Sequence, residues 1–287
     1  MTSNNLSPLF IIGAARSGTN LVRDIITSDP KFITWPCDEI NSIWRHHNQK
    51  IPTDLFTGEH ANQRVVHYIQ KQFLKLRGNQ LNSVIVEKTC ANTLRIPFLH
   101  KIFPTAKYIN IIRDGRDVAL SASKRWQGGV KSSYILKKLK YVPTIDLPVY
   151  IYKNFVNRVY QLLSTKNTVK SWGPIIPNMD EIFRSKPIEV ASAIQWKFCV
   201  NKSLADLDNL CVGNVLTVKY EDLVTDTNNT LESVERFLNW KFSPSVHLKA
   251  GTIKSDSLNS HKSFTNQKVI CEIYDEIFEV LKKLNYT

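Results

Sequence analysis

One stretch limits the fold more than any other: Leu9 to Gly13 (LFIIG) runs directly into GAARSGTNL, Gly13 to Leu21. A short apolar run closed by glycine, then an amphipathic stretch from Thr19 to about Ser28, predicts a strand, a tight turn and a helix. Ser83 to Val86, Lys107 to Ile112 (KYINII) and Val215 to Val218 (VLTV) read as further buried strands. Pro187 opens a long helical pattern to about Leu207, and a last helix is expected from Gln267 to Leu284. Short β-rich runs alternating with helical stretches predict βαβ units, so the fold class is α/β: a parallel β-sheet flanked by helices.

A length of 287 residues suits a single α/β core. Between Trp126 and Lys186 the pattern loosens around Pro143, Pro148, Pro174 and Pro177. This segment, about 126–186, reads as an insertion over the sheet edge within one domain, 1–287. No apolar run reaches the ~18 residues of a membrane-spanning helix. The N-terminus, MTSNNLSPLF, lacks the basic region of a signal peptide. Cys37, Cys90, Cys199, Cys211 and Cys271 are scattered without a CxxC pair. Reduced thiols in a cytoplasmic protein without a bound metal are the expectation.

The formal net charge is +13, and most of it is local. Residues 121–170 hold ten basic side chains against the single acid Asp146. Such a field concentrates anionic partners. A solvated lysine face would look the same in sequence, so the partner has to be argued from sites.

The loop from Gly13 to Gly18 has the length and position of a phosphate cradle, with helix N-terminal amides facing an anion. The P-loop of nucleotide triphosphatases ends in GK[ST]; here Gly18 is followed by Thr19 and Asn20. Arg16 and Ser17 sit inside the loop instead, and an arginine fork suits an oxyanion without a metal. The loop is therefore P-loop-like but not built for Mg·NTP.

A second anion site is expected after the strand KYINII, in RDGRDVALSASKR, Arg113 to Arg125. Arg113 ends the strand, Ser121 lies eight residues on and Arg125 four beyond that, so the three can converge on one anion. Asp114 and Asp117 are expected to cap the helix and pair with Arg116. A nucleotide with phosphate groups at both ends of its ribose would explain two anion sites on neighbouring strands.

The combination of GAARSGTNL, VEKTCAN (Val86 to Asn92), FPTAKYINIIRDGRDVALSASKR and VKYEDLV (Val218 to Val224) resembles the sulfotransferases that use 3′-phosphoadenosine-5′-phosphosulfate (PAPS). It is most similar to the branch holding the tyrosylprotein sulfotransferases and bacterial relatives. The resemblance implies the sulfotransferase fold, a metal-free reaction and release of 3′,5′-ADP. It implies that Arg16, Ser17, Gly18, Thr19 and Asn20 hold the 5′-phosphosulfate. Arg113 and Ser121 then hold the 3′-phosphate, assisted by Arg125 and Tyr220. It further implies Lys88 at the leaving group and a glutamate base downstream of the first helix. The matching stretch, TWPCDEINSIW, is two residues longer than the family's pattern, so Glu39 is the choice, with Asp38, His46 and His47 as alternatives. Asn92 is expected to orient a loop on the acceptor side. Gly251 to Ser263 is the candidate for C-terminal contacts to the phosphosulfate.

The expected function is therefore sulfuryl transfer to a hydroxyl of an anionic acceptor, a saccharide or polysaccharide, with an acidic tyrosine-containing peptide as the main alternative. Trp126, Tyr134, Tyr141, Tyr150, Tyr152 and Trp172 could stack on sugar rings or fill the core. A P-loop nucleotide kinase would share the first loop but leaves Arg113 to Arg125 unexplained. A basic nucleic-acid binder would use the charge, yet the sequence carries no nucleic-acid motif, so nucleic acid is not an expected partner. A peripheral membrane contact and a homodimer stay open.

Overall fold

The computed structural model describes residues 6–127, 140–148, 150–152, 155–156, 172–211, 213–256 and 258–286. The basic and aromatic positions at 131–138, 153–154 and 157–171 lie outside the described residues. The sheet comprises β1 (Leu9–Ile12), β2 (Phe32–Ile33), β3 (Val84–Glu87), β4 (Lys107–Ile112) and β5 (Val215–Lys219). Their order is β2-β3-β1-β4-β5 and every pairing is parallel. The helices are α1 (Thr19–Ile26), α2 (Asn41–Arg45), α3 (Gln63–Arg77), α4 (Ile96–Ile102), α5 (Gly115–Gln127) and α6 (Met179–Ser185). They continue with α7 (Ile188–Leu207), α8 (Tyr220–Thr225), α9 (Thr227–Leu238), α10 (Pro244–Ala250) and α11 (Gln267–Lys283).

A central parallel strand is covered on both faces, which is why β1 is apolar at every position. Phe10 and Ile12 pack on one face with Trp44, Phe73, Phe103 and Tyr108. Leu9 and Ile11 face the other way, onto Val22, Ile25 and Ile26 of α1 and Leu223 of α8. A third cluster joins α5, α7 and α11 through Leu120, Trp196, Cys199, Ile273 and Ile277. The four sequence-predicted strands occur within a residue or two of their expected bounds; β2, with two residues, is too short for a periodic signal.

The strand order positions the site. The chain leaves β1 toward β2 at one edge and leaves β4 toward β5 at the other, although β1 and β4 are neighbours. A crevice therefore opens between their carboxyl ends, where open α/β sheets collect ligands. Arg16 follows β1 and Arg113 follows β4, so both stand at this crevice. Among the described residues, no helix is long and apolar enough to cross a membrane.

Candidate active site

The turn between β1 and α1 is bent tightly around its own backbone. Ser17 N–H donates to the Ala14 carbonyl at 3.1 Å, and Arg16 and Gly18 both have positive φ, 73° and 91°. For arginine that conformation costs about 1–2 kcal/mol, and strain of this kind persists where the surroundings impose it. Gly18 is required: a Cβ there would lie 2.4 Å from the Tyr220 ring. Gly13 is equally confined, with the Ile111 carbonyl 2.8 Å from a would-be Cβ. The N-terminus of α1 has no side-chain cap and no acid in its first turn, so its amides point at a position kept clear of negative charge. The Ser17 side chain is fully buried, and its Oγ has no hydrogen-bond partner among the described residues. Thr19 is also buried, 3.8 Å from Cys90 Sγ, whereas Asn20 faces solvent.

Arg16 reaches across the crevice, its Nε donating to Ser121 Oγ on α5 at 3.0 Å. Arg113 donates to the Arg16 carbonyl at 3.2 Å and lies over the Tyr220 ring, 4.4 Å from its centroid. Arg125 is exposed one turn beyond Ser121. Burial, then the charges of Arg125 and Arg113, hold the Arg16 guanidinium below its ordinary pKa. Three arginines thus share one neighbourhood centred on Arg16, an arrangement that favours an incoming anion of more than one charge. The first loop and the second site, separate in sequence, are one continuous surface through Arg16.

Asp114 binds Arg116 at 2.7 Å, as expected. Asp117 does not pair with Arg116. It accepts from Ser260 Oγ (3.0 Å) and from His261 N–H (2.9 Å), lies 2.7 Å from His261 Nδ1, and is 3.8 Å from Arg113. Ser260 and His261, in the predicted C-terminal segment, are thereby anchored beside Arg113. Sequence spacing could not have found this contact, because the partners are 144 residues apart.

On the β3 side, Lys88 is buried and its Nζ donates to Glu39 Oε1 at 3.2 Å. Cys90 N–H donates to the same oxygen at 3.2 Å. Burial would lower the Lys88 ammonium, but the Glu39 charge outweighs it and raises the pKa to about 12. Burial, then Glu39, pushes the Cys90 thiol to about 12 as well. Asp38 turns away to Arg23 on α1 (3.4 Å), and is more exposed than Glu39. His46 ends α2 and stands with its Nδ1 2.7 Å from Asp146, its ring packed on His47 and Tyr68. Of the four candidate bases, Glu39 is the one bound to Lys88. Asn92 is fully buried, donating to Glu87 at 2.6 Å and accepting from Arg95 at 2.8 Å, so its amide is engaged in the interior. Trp126 is buried against Phe183 and Trp172, filling core.

With this geometry in place, comparison with known proteins identifies the relatives. Residues 8–144 match the profile of the sulfotransferase family. None of the curated proteins compared with the chain matches it. Among solved structures, the sulfotransferase domain of the curacin biosynthetic pathway shares 15% identity and a TM-score of 0.52, covering 88% of this chain and 80% of that one. A sulfotransferase from Mycobacterium avium gives 11% and 0.55, covering 97% and 77%. The sulfotransferase domain of the Synechococcus PCC 7002 olefin synthase gives 16% and 0.53, covering 96% and 97%. At such identities the structures speak for the fold, and they share it with sulfotransferases; the matched family profile spans the loop, Lys88 and the arginine-serine helix, the motifs that carry the resemblance.

Proposed function

We propose that the protein transfers a sulfuryl group from PAPS to a hydroxyl of an anionic saccharide, releasing 3′,5′-ADP. The observation that carries this reading is the group of Arg113 and Arg125 near Arg16, which itself binds Ser121, beside a loop whose buried Ser17 hydroxyl has no hydrogen-bond partner among the described residues. A donor with charge at both ends of its ribose fits that layout. Arg113, Ser121 and Arg125, with Tyr220 bracing Arg113, would hold the 3′-phosphate. Ser17, Gly18, Thr19 and Asn20 would hold the 5′-phosphosulfate, with Arg16 between the two sites.

PAPS supplies an activated sulfuryl group whose transfer forms an S–O bond to the acceptor and breaks the S–O bond to the 5′-phosphate. The chain's own work is positioning and charge compensation. Glu39 would take the acceptor proton, and Lys88, already a donor, would face the charge growing on the departing phosphate. The Lys88–Glu39 bond holds the base and the leaving-group cation in one unit before any substrate arrives.

The basic stretch at 121–170, of which Lys124, Arg125 and Lys140 are exposed among the described residues, supports an anionic acceptor. A cytoplasmic setting fits the cysteines, none of which is disulfide-bonded. Two measurements test the reading. Calorimetry in EDTA should give binding of 3′,5′-ADP with no metal and a strong preference over ATP; a requirement for Mg²⁺ would remove PAPS as donor. Transfer of ³⁵S from labelled PAPS, screened over acidic polysaccharides, a neutral glucan and an acidic tyrosine peptide, should label an acidic saccharide. Labelling of the peptide alone would reassign the acceptor.

A further inference from the structure

Glu87 is a carboxylate with 1% exposure at the carboxyl end of β3, next to Lys88 in sequence. A buried charge is costly unless it is fully hydrogen-bonded. Here it is: Thr89 Oγ1 donates to Oε1 at 2.6 Å, Trp44 Nε1 to Oε1 at 3.2 Å and Asn92 Nδ2 to Oε2 at 2.6 Å. Burial raises the pKa of this carboxyl, so its retention in the interior works against stability at neutral pH.

The bonds lead somewhere. Thr89 Oγ1 also accepts from the Ile40 backbone N–H at 3.3 Å. Arg95, fully buried, binds Asn92 Oδ1 with its Nε and Asn41 Oδ1 with its Nη2, each at 2.8 Å. Ile40 and Asn41 are the two residues after Glu39. The segment Glu87 to Cys90 thus divides its work by alternation. Lys88 and Cys90 bind the Glu39 carboxylate, while Glu87 and Thr89 hold the chain that carries it.

We infer that Glu87 and Thr89 are positioning residues for the base, fixing the Glu39 loop through Ile40 and, by way of Asn92 and Arg95, through Asn41. The inference rests on Glu39 being the base. A hydroxyl at residue 89 is needed because it must donate to Glu87 and accept from Ile40 at once; valine of the same shape can do neither. Displacement of a catalytic carboxylate by about 1 Å can cost up to ~10²-fold in rate without altering donor binding.

The test measures kcat, KM for PAPS and affinity for 3′,5′-ADP in Thr89→Val, Thr89→Ser, Glu87→Gln and Glu39→Gln, using the best acceptor of the screen. Thr89→Val should lose at least ~10-fold in kcat with KM for PAPS and 3′,5′-ADP affinity within about twofold, and Thr89→Ser should recover to within about threefold of wild type. Wild-type kcat in Thr89→Val while Glu39→Gln is inactive would overturn the inference and leave Glu39 as base. Full activity in Glu39→Gln would instead remove Glu39 itself. If Thr89→Val does not fold, Glu87→Gln decides: lowered kcat with normal 3′,5′-ADP binding supports the relay, and unchanged kcat overturns it.

Discussion

On the β4 side of the crevice, Arg16 sits among two further guanidinium groups; on the β3 side, Lys88 sits against a carboxylate. Burial lowers both cations, yet their pKa values move in opposite directions, because the nearest charges have opposite sign. The first region holds repulsion among like charges that an anionic ligand would relieve, and in the proposed function the donor completes it. The second region is neutralised internally, so its geometry should exist before substrate binds. In the proposed function, one half is the receptor for the donor and the other a preassembled tool.

That contrast is broken most severely at Glu39. Glu39→Gln keeps the shape and the acceptor oxygen for Lys88 but removes basicity. Turnover should fall by ~10²-fold or more while 3′,5′-ADP binds as in wild type. Asp38→Asn, His46→Ala and His47→Ala should retain most activity. Steady-state kinetics beside calorimetry checks both halves; a dead Asp38 or histidine variant with an active Glu39→Gln would move the base.

Arg113→Ala probes the receptor half. Hydrogen bonds to charged groups contribute about 1.5–3 kcal/mol, so affinity for 3′,5′-ADP should drop by roughly 10- to 100-fold. Affinity for 5′-AMP, which lacks the 3′-phosphate, should hardly change. Titrating both nucleotides separates loss of one phosphate contact from general damage. An equal loss for both would place the 3′-phosphate elsewhere.

Arg125→Ala sharpens the comparison because it should act with opposite signs on the two states. Removing one of three like charges should leave the free protein slightly more heat-stable, while 3′,5′-ADP binds about fivefold more weakly and with a shallower salt dependence. Thermal melts with and without nucleotide read this directly. A free protein that is destabilised by the change would show that Arg125 is a structural partner rather than a source of repulsion.

The sequence disclosed the parts whose signal is local. β1 is a continuous apolar run, and β4 is largely one, because both faces of a central parallel strand are covered. The loop and the Arg113–Ser121 spacing are likewise confined to a few residues. Lys88 and Glu39 come from resemblance, and Glu39 is the choice with Asp38, His46 and His47 kept as alternatives, since register across an irregular loop has no period. What stayed hidden depends on distant pairing: Tyr220 against Gly18, His261 on Asp117, and the Glu87 bonds that reach Ile40. Asp117 illustrates the limit well. Beside Arg116 in sequence, it looked like that residue's partner, but the α5 helix turns it toward the C-terminal segment.

Asp117 also yields the smallest effect. Burial raises its carboxyl, but hydrogen bonds from the His261 ring and backbone and from Ser260 outweigh that and hold it below its ordinary value of 3.8. A carboxyl lowered in the folded state contributes stability above its unfolded pKa and loses it as pH falls through the folded one. Asp117→Asn keeps an acceptor but no charge, so the cost should be about 1 kcal/mol, or a Tm lower by roughly 2–4 °C at neutral pH. The gap between variant and wild type should close as pH falls below about 4. Because Asp117 also lies 3.8 Å from Arg113, 3′,5′-ADP affinity should shift by less than in Arg113→Ala. Melts across pH provide the check. A gap that persists at pH 3 would mean that the Asp117 charge is not what anchors Ser260 and His261 beside Arg113.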